Sequence, residues 1–273
     1  MGRMITPLHA AVLGILEGLT EFLPVSSTGH LILAARLLGL HGEAVKTFEV
    51  VIQAGALGAV LALYRRSVAA MARGLAGRDQ AGRALARNLA VSFLPAGLAG
   101  LLLHGTIKAR LFSAWPVVAA LAAGGAVMIV ADRWWTVKGR ATGRGLAAVT
   151  LRDALVIGCA QCLALWPGTS RAMVTLIAGM AVGLPAPAAA EYSFLLALPT
   201  LGVATVFDAA TGGAALLRDV SALSLAVGFS AAAVVAALAV RGFVGYLAHR
   251  GLAPFGWYRL ALAAAVWLTG VAS

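Results

Sequence analysis

The chain has 273 residues, of which 61% are hydrophobic and 11% charged, and its mean hydropathy is +0.93. Soluble domains carry about 25% charge, so a fully water-facing surface is excluded and lipid is the expected solvent. The formal net charge of +11 does not indicate nucleic-acid binding: no nucleic-acid motif or aromatic interleaving accompanies it, and the arginines gather in two connections, as cytoplasmic loops beside anionic headgroups do.

In chain order, an apolar stretch at about 7–40 is broken at Phe22-Leu23-Pro24-Val25-Ser26-Ser27-Thr28-Gly29-His30. A continuous stretch follows at 47–64, then a connection bearing Arg65, Arg66, Arg73, Arg78, Arg83 and Arg87. Stretches at 88–104 and 115–132 come next, then a second basic connection with Arg133, Lys138, Arg140, Arg144 and Arg152. Another broken stretch runs over about 153–183, interrupted at Leu165-Trp166-Pro167-Gly168-Thr169-Ser170-Arg171, and the chain continues with stretches at 189–207, 221–240 and 254–271. A spanning helix needs roughly 20 apolar residues, so the six continuous stretches are predicted to cross. The arms of the two broken stretches are too short to cross alone, and Pro with Gly and hydroxyl residues at each break suits a turn. Both are predicted to be re-entrant helical hairpins.

The fold class expected is therefore an all-α integral membrane protein, a single membrane domain with six transmembrane helices and two re-entrant hairpins. Placing the arginine-rich connections in the cytoplasm opens the first hairpin outward and the second inward. Residues 208–220, with Arg218, are then external, as are Lys108 and Arg110, whereas 241–253, with Arg241 and Arg250, is cytoplasmic. Each half, about 1–150 and 151–273, is one hairpin followed by three spans. Gly14 and Gly158, Glu17 and Gln161, and Gly58 and Gly202 all lie 144 residues apart, and Ser27 and Ser170 lie 143 apart. Because three is odd, the second copy would be upside down, an inverted-topology repeat with both tips near the midplane.

Glu17 and Glu21 are four apart and share a helix face. Carboxylates in apolar sequence need partners; this pair suits a hard divalent cation through oxygen ligands, or a general base with a second carboxylate tuning it. Ser26, Ser27 and Thr28 open the next helical arm, where hydroxyls and free N–H groups form an anion site. His30, two residues on, can serve as acid, base or nucleophile. The second tip adds Thr169, Ser170 and Arg171, whose guanidinium suits phosphate or an ion pair with Glu17 or Glu21. Together the tips fit a phosphoryl substrate with a divalent cation. Glu49, Gln53 and Glu191 are weaker candidates, and His9, His41, His104 and His249 sit at segment ends. Cys159 and Cys162 form a C-x-x-C in apolar sequence with no further ligand nearby, so they read as small apolar residues. No cleavable signal is evident at the N-terminus.

Glu17-Gly18-Leu19-Thr20-Glu21-Phe22-Leu23-Pro24-Val25-Ser26-Ser27-Thr28-Gly29-His30 resembles the first signature of the undecaprenyl-pyrophosphate phosphatase, or bacitracin-resistance, family. Lys46-Thr47-Phe48-Glu49-Val50-Val51-Ile52-Gln53 and Cys159-Ala160-Gln161-Cys162-Leu163-Ala164-Leu165-Trp166-Pro167-Gly168-Thr169-Ser170-Arg171 resemble two further segments. The resemblance implies hydrolysis of undecaprenyl diphosphate to the monophosphate, which recycles the carrier for peptidoglycan and other wall polymers. It also implies Mg²⁺ or Ca²⁺, the bacterial inner membrane, bacitracin resistance, and roles for Glu17, Glu21, Ser27, His30 and Arg171. Glu17 and Glu21 would hold the metal, and Ser26, Thr28, Thr169, Ser170 and Arg171 the phosphates. The family continues Ser-Arg-Ser-Gly at the second tip, where this chain has Ala172 and Met173 after Arg171, so a hydroxyl is missing there. The nucleophile stays open between Ser27, His30 and water. The rival reading, a transporter or flippase of a phosphorylated polyprenyl lipid, has the same architecture but needs no nucleophile. The partners expected are the prenyl diphosphate and membrane lipids, with a homodimer as one arrangement.

Overall fold

A computed structural model describes residues 5–111, 114–138 and 144–268; Arg140 of the second basic connection lies outside them, and the side chains of Lys46, His104, Lys108, Arg110, Lys138 and Arg218 are likewise outside the description. Regular structure among the described residues is helical throughout. The order is α1 (Pro7–Thr20), α2 (Ser27–Leu37), α3 (Glu43–Leu63), α4 (Arg65–Leu75), α5 (Gln80–Leu111), α6 (Ala114–Lys138), α7 (Leu151–Gln161), α8 (Arg171–Ala181), α9 (Ala186–Asp219), α10 (Ala222–His249) and α11 (Ala253–Leu268), with 3-10 turns at Leu146–Ala148 and Cys162–Leu165.

The surface is apolar. Leu101, Leu102 and Val206 are 77%, 82% and 70% exposed, which water would penalise and lipid does not. By length and composition four helices can cross a membrane, within α5, α6, α9 and α10, or five if α3 and α4 count as one bent span. Of the six predicted crossings, two do not meet that measure by themselves among the described residues. α3 meets the criterion only together with α4, which turns away by 81°, and α11 is described for 16 residues, the last three residues of the predicted 254–271 stretch lying beyond.

Several predicted loops are helical. α5 and α9 have 32 and 34 residues, about 48 and 51 Å at 1.5 Å per residue, longer than a hydrocarbon core of about 30 Å. Arg83 and Arg87 therefore ride on the first turns of α5, and Arg241 on α10. Arg65, Arg66 and Arg73 ride on α4, with Arg73 paired to Asp79 at 3.2 Å. Turns cannot be read from charge alone, because a helix that outruns the bilayer carries polar residues without unwinding.

The two broken stretches are divided as the Pro and Gly positions predict, into α1–α2 and α7–α8. Their local chemistry matches at one spacing. Thr6 and Thr150, 144 apart, both form capping boxes, with His9 and Asp153 as the returning side chains. α2 and α8 each have 11 residues and begin 144 apart. Gly39 and Gly183, also 144 apart, both end their hairpins with positive φ, 67° and 94°, a conformation that glycine adopts without Cβ strain.

Each first arm packs on a helix of the other half: α1 lies along α10 and α7 along α5, while α3 meets α9 and α6 meets α11. Glycines permit the close approach. A Cβ on Gly14 would collide with the Gly228 carbonyl, and one on Gly158 would stand 2.6 Å from the Ser92 carbonyl. Hydroxyls and amides fasten the same contacts: Ser224 donates to the Ile5 carbonyl at 3.0 Å, and Asn88 to the Val149 carbonyl at 2.7 Å. The largest core cluster gathers Phe22, Tyr192, Phe194, Met128 and Phe243.

Candidate functional site

Ser26 and Ser170 are the two non-glycine residues with positive φ among the described residues, at φ 74°, ψ 95° and φ 75°, ψ 110°. Such backbone costs about 1–3 kcal/mol and persists only where the surroundings enforce it. Each serine caps the helix behind it, Ser26 Oγ accepting from Gly29 N at 3.4 Å and Ser170 Oγ from Met173 N at 3.2 Å. Ser26 and Ser170, 144 apart, thus share a backbone conformation and a capping role, and Ser27 and Arg171, also 144 apart, are each the first residue of the helix that follows. Ser26 and Ser170 put their hydroxyls into capping, the first duty that their position at a helix start suggests.

Ser27 is the first residue of α2 and is buried. Its hydroxyl donates to Glu21 Oε2 at 2.5 Å. The other Glu21 oxygen, Oε1, accepts from Arg171 Nη2 at 2.9 Å, in an ion pair whose side chains are 9% and 6% exposed. This bond joins the first tip to the second. Arg171 Nη1 donates to the Ser193 carbonyl at 3.0 Å, its guanidinium lies 5.7 Å from the Phe22 ring centre, and its Nε is buried without a partner.

Glu17 is buried, with Oε2 unpartnered. The two carboxylates predicted to share a cation thus differ: both Glu21 oxygens are engaged by Ser27 and Arg171, while Glu17 keeps a free one. No group of three or more His, Cys, Asp or Glu among the described residues is arranged to hold an ion by itself. The donor set still fits Mg²⁺, which commonly takes one or two carboxylates and completes its shell with substrate phosphates and water.

His30 is buried and both ring nitrogens are used. Nδ1 lies 2.7 Å from the Ser26 carbonyl and Nε2 lies 2.6 Å from the Tyr258 hydroxyl. Ser27 is not among its partners; the carboxylate of Glu21 stands where a base for Ser27 would. Thr28 is exposed at the start of α2, and Thr169 is half-buried, its carbonyl accepting from Arg259 Nη1 at 3.0 Å. At the second tip Ala172 and Met173 are buried, and Met173 belongs to the core, so the missing hydroxyl is replaced by packing.

Two residues of α11 enter the site unannounced by the sequence reading, Tyr258 and Arg259. Arg259 is 0% exposed. It donates to five carbonyls: Leu121 through Nε at 3.2 Å, Pro24 and Thr169 through Nη1 at 3.2 and 3.0 Å, and Ala120 and Gly168 through Nη2 at 2.9 and 2.8 Å. Pro24 belongs to the first tip, Gly168 and Thr169 to the second, so one guanidinium clasps both. The signal was available, since an arginine inside an apolar stretch needs partners. Of the weaker candidates, Glu49 lies near enough to Glu17 for the two carboxylates to repel, whereas Gln53 accepts from Thr205 at 3.4 Å and His9 completes the α1 capping box. Cys159 and Cys162 are free thiols.

The family model described as bacitracin resistance protein BacA matches residues 10–265. This chain belongs to that family. Among its relatives is the undecaprenyl-diphosphatase of Sorangium cellulosum, 50% identical over 264 residues, covering 95% of this chain and 85% of the relative. Those of Nitrosomonas europaea and Methylococcus capsulatus are each 44% identical, covering 96% of this chain and 94% of the relative. The family match includes both tips and Tyr258 and Arg259 of α11, so every residue of the buried cluster falls inside it.

Proposed function

We propose that this chain is an undecaprenyl-diphosphatase of the bacterial inner membrane, hydrolysing undecaprenyl diphosphate to undecaprenyl phosphate and inorganic phosphate. The observation that carries the reading is the buried Ser27–Glu21–Arg171 chain. It supplies a nucleophile, a base that already accepts the nucleophile's hydrogen bond, and a cation. A carrier of lipid needs a binding site, but has no use for a serine held on a carboxylate.

Ser27 Oγ attacks the terminal phosphorus while its proton passes to Glu21 Oε2. The bond from that phosphorus to the bridging oxygen breaks, and undecaprenyl phosphate leaves with the bonding pair. As Glu21 becomes neutral, its hold on Arg171 falls, which frees the guanidinium for the phosphoryl oxygens; the unpartnered Nε is a donor ready for them. First-turn N–H groups of α2, beside Ser27 and Thr28, add positive potential. Water then attacks the phosphoserine, with His30 as base. Glu17, through Oε2, would hold Mg²⁺ together with substrate oxygens, and the ion would offset negative charge on the diphosphate. Ca²⁺ fits the same oxygen donors less specifically.

The architecture we infer is six crossings, α3, α5, α6, α9, α10 and α11, with α1–α2 and α7–α8 as re-entrant hairpins in an inverted repeat. Supporting it are the common spacing of 144, the paired capping boxes, the paired strained serines and the exchange of first arms between halves. The titratable acids and bases gather at one tip: where the first carries Glu17, Glu21 and His30, the second has Gln161, Leu165 and Val174 at the same spacing, and contributes Arg171. The arginine-rich ends of α4 and α5 on the cytoplasmic side leave the first tip open to the periplasm.

The test is phosphate release from undecaprenyl diphosphate by purified protein in detergent with Mg²⁺. Release that disappears in Ser27→Ala supports the reading; no release from the unaltered protein sinks it.

A further inference from the structure

Arg259 fixes the place of its neighbour. With all five N–H groups on backbone carbonyls of α6 and of both tips, α11 cannot shift along the site, and Tyr258 is held against His30. The two rings are stacked, 3° from parallel with centres 5.7 Å apart. The Ser26 carbonyl, 2.7 Å from Nδ1, can only accept, so Nδ1 carries a proton and Nε2 is the acceptor of the neutral ring. The Tyr258 hydroxyl, 2.6 Å away, therefore donates to Nε2. That nitrogen is the ring's one basic position, and the tyrosine oxygen covers it. Tyr258 is 46% exposed where His30 is 8%, so the phenol is the outward-lying partner of a buried imidazole.

We propose that Tyr258 is a catalytic residue, the proton relay through which His30 acts in the second half of the reaction. The proposal rests on the diphosphatase reading with a phosphoserine on Ser27. Water bonds to phosphorus through its oxygen. The water proton passes to the Tyr258 oxygen while the Tyr258 proton passes to His30 Nε2, leaving tyrosine unchanged and histidine cationic. The bond from phosphorus to Ser27 Oγ breaks with its pair on Oγ, which takes back the proton held by Glu21, and inorganic phosphate departs. His30 returns its proton to water along the same path. Glu21 thus serves the first step and His30, through Tyr258, the second. This division accounts for two bases in one small site, only one of which touches the nucleophile.

The experiment uses the full chain in detergent with Mg²⁺ and undecaprenyl diphosphate labelled in its terminal phosphate. Tyr258→Phe keeps the ring stack and removes only the hydroxyl. Turnover is expected to fall about 10²-fold, the lower range for a lost proton transfer, with label accumulating covalently on the protein and absent from Tyr258→Phe/Ser27→Ala. Trapped label also shows that the variant is folded and competent for the first step, which a merely structural role for Tyr258 would not produce. Turnover equal to that of the unaltered protein, or slow turnover without covalent label, overturns the proposal. Failure of the unaltered protein to release phosphate is a separate result and sinks the diphosphatase reading itself.

Discussion

Arg171 donates to Glu21 at 2.9 Å across 150 residues of sequence, joining the tips of the two broken helices by one buried ion pair. Removing one partner of such a pair leaves the other charge uncompensated, at a cost of about 3–5 kcal/mol. Arg171→Ala is expected to lower the melting temperature in detergent and to abolish phosphate release. Arg171→Lys should restore much of the stability but little of the activity, because an ammonium cannot hold Glu21, Ser193 and a phosphate at once. Thermal unfolding and turnover measured on the same preparations separate the two effects.

Glu21→Gln keeps the shape of the pair, since the amide can still meet Ser27 and its oxygen can accept from Arg171, but the buried guanidinium loses its counter-charge and the melting temperature is expected to fall. The amide cannot take the Ser27 proton. Turnover is expected to drop by about 10²–10⁴-fold, with no covalent phosphate trapped. Label trapped at the normal rate in this variant would remove Glu21 as the base.

Glu17 owns the free carboxylate oxygen of the site, so the metal requirement should depend on it. Chelation by EDTA is expected to stop phosphate release and Mg²⁺ to restore it. Glu17→Gln should raise the Mg²⁺ concentration needed by about 10-fold or more, the scale found when a group supporting a metal is altered. An unchanged Mg²⁺ titration in Glu17→Gln would place the ion elsewhere.

Arg259→Met would strip five carbonyls of their donor in a buried setting. At about 1–3 kcal/mol for each polar group left unsatisfied, this single change is expected to destabilise more than Arg171→Ala, read as loss of the monodisperse peak on size exclusion and a lower melting temperature. Equal melting of the two variants would show that water reaches the tips.

Glycines at matched spacing should behave differently from one another. Gly14→Ala and Gly158→Ala push a Cβ into a neighbouring backbone, whereas nothing lies within 4 Å of a Cβ on Gly58 or Gly202. The first two are expected to lower stability by about 1–3 kcal/mol, and the latter two to stay within about 0.5 kcal/mol, measured by thermal unfolding in detergent.

The residues legible from sequence were those that violate their surroundings. Glu17, Glu21, His30 and Arg171 are polar side chains in apolar stretches, and the rule that such groups need partners singled them out. The broken arms were legible because Pro, Gly and hydroxyl residues end helices locally. Helix ends near water were not, since α5 and α9 run on past the bilayer and charge density does not say where a helix stops. Arg259 was passed over because one arginine in a long apolar stretch still leaves the stretch hydrophobic on average.

By itself, then, the sequence determined the solvent, the helical class, the two breaks and the identity of the groups available for chemistry, because each follows from local composition and spacing. Tertiary structure alone decided which groups meet. It gave Glu21 to Ser27 and Arg171, left Glu17 an open oxygen, turned His30 to Tyr258, and set Arg259 across both tips. Those pairings span up to 235 residues, and nothing in local sequence fixes the approach of two segments so far apart; only the packing of α1 on α10, α7 on α5 and α11 on α6 does.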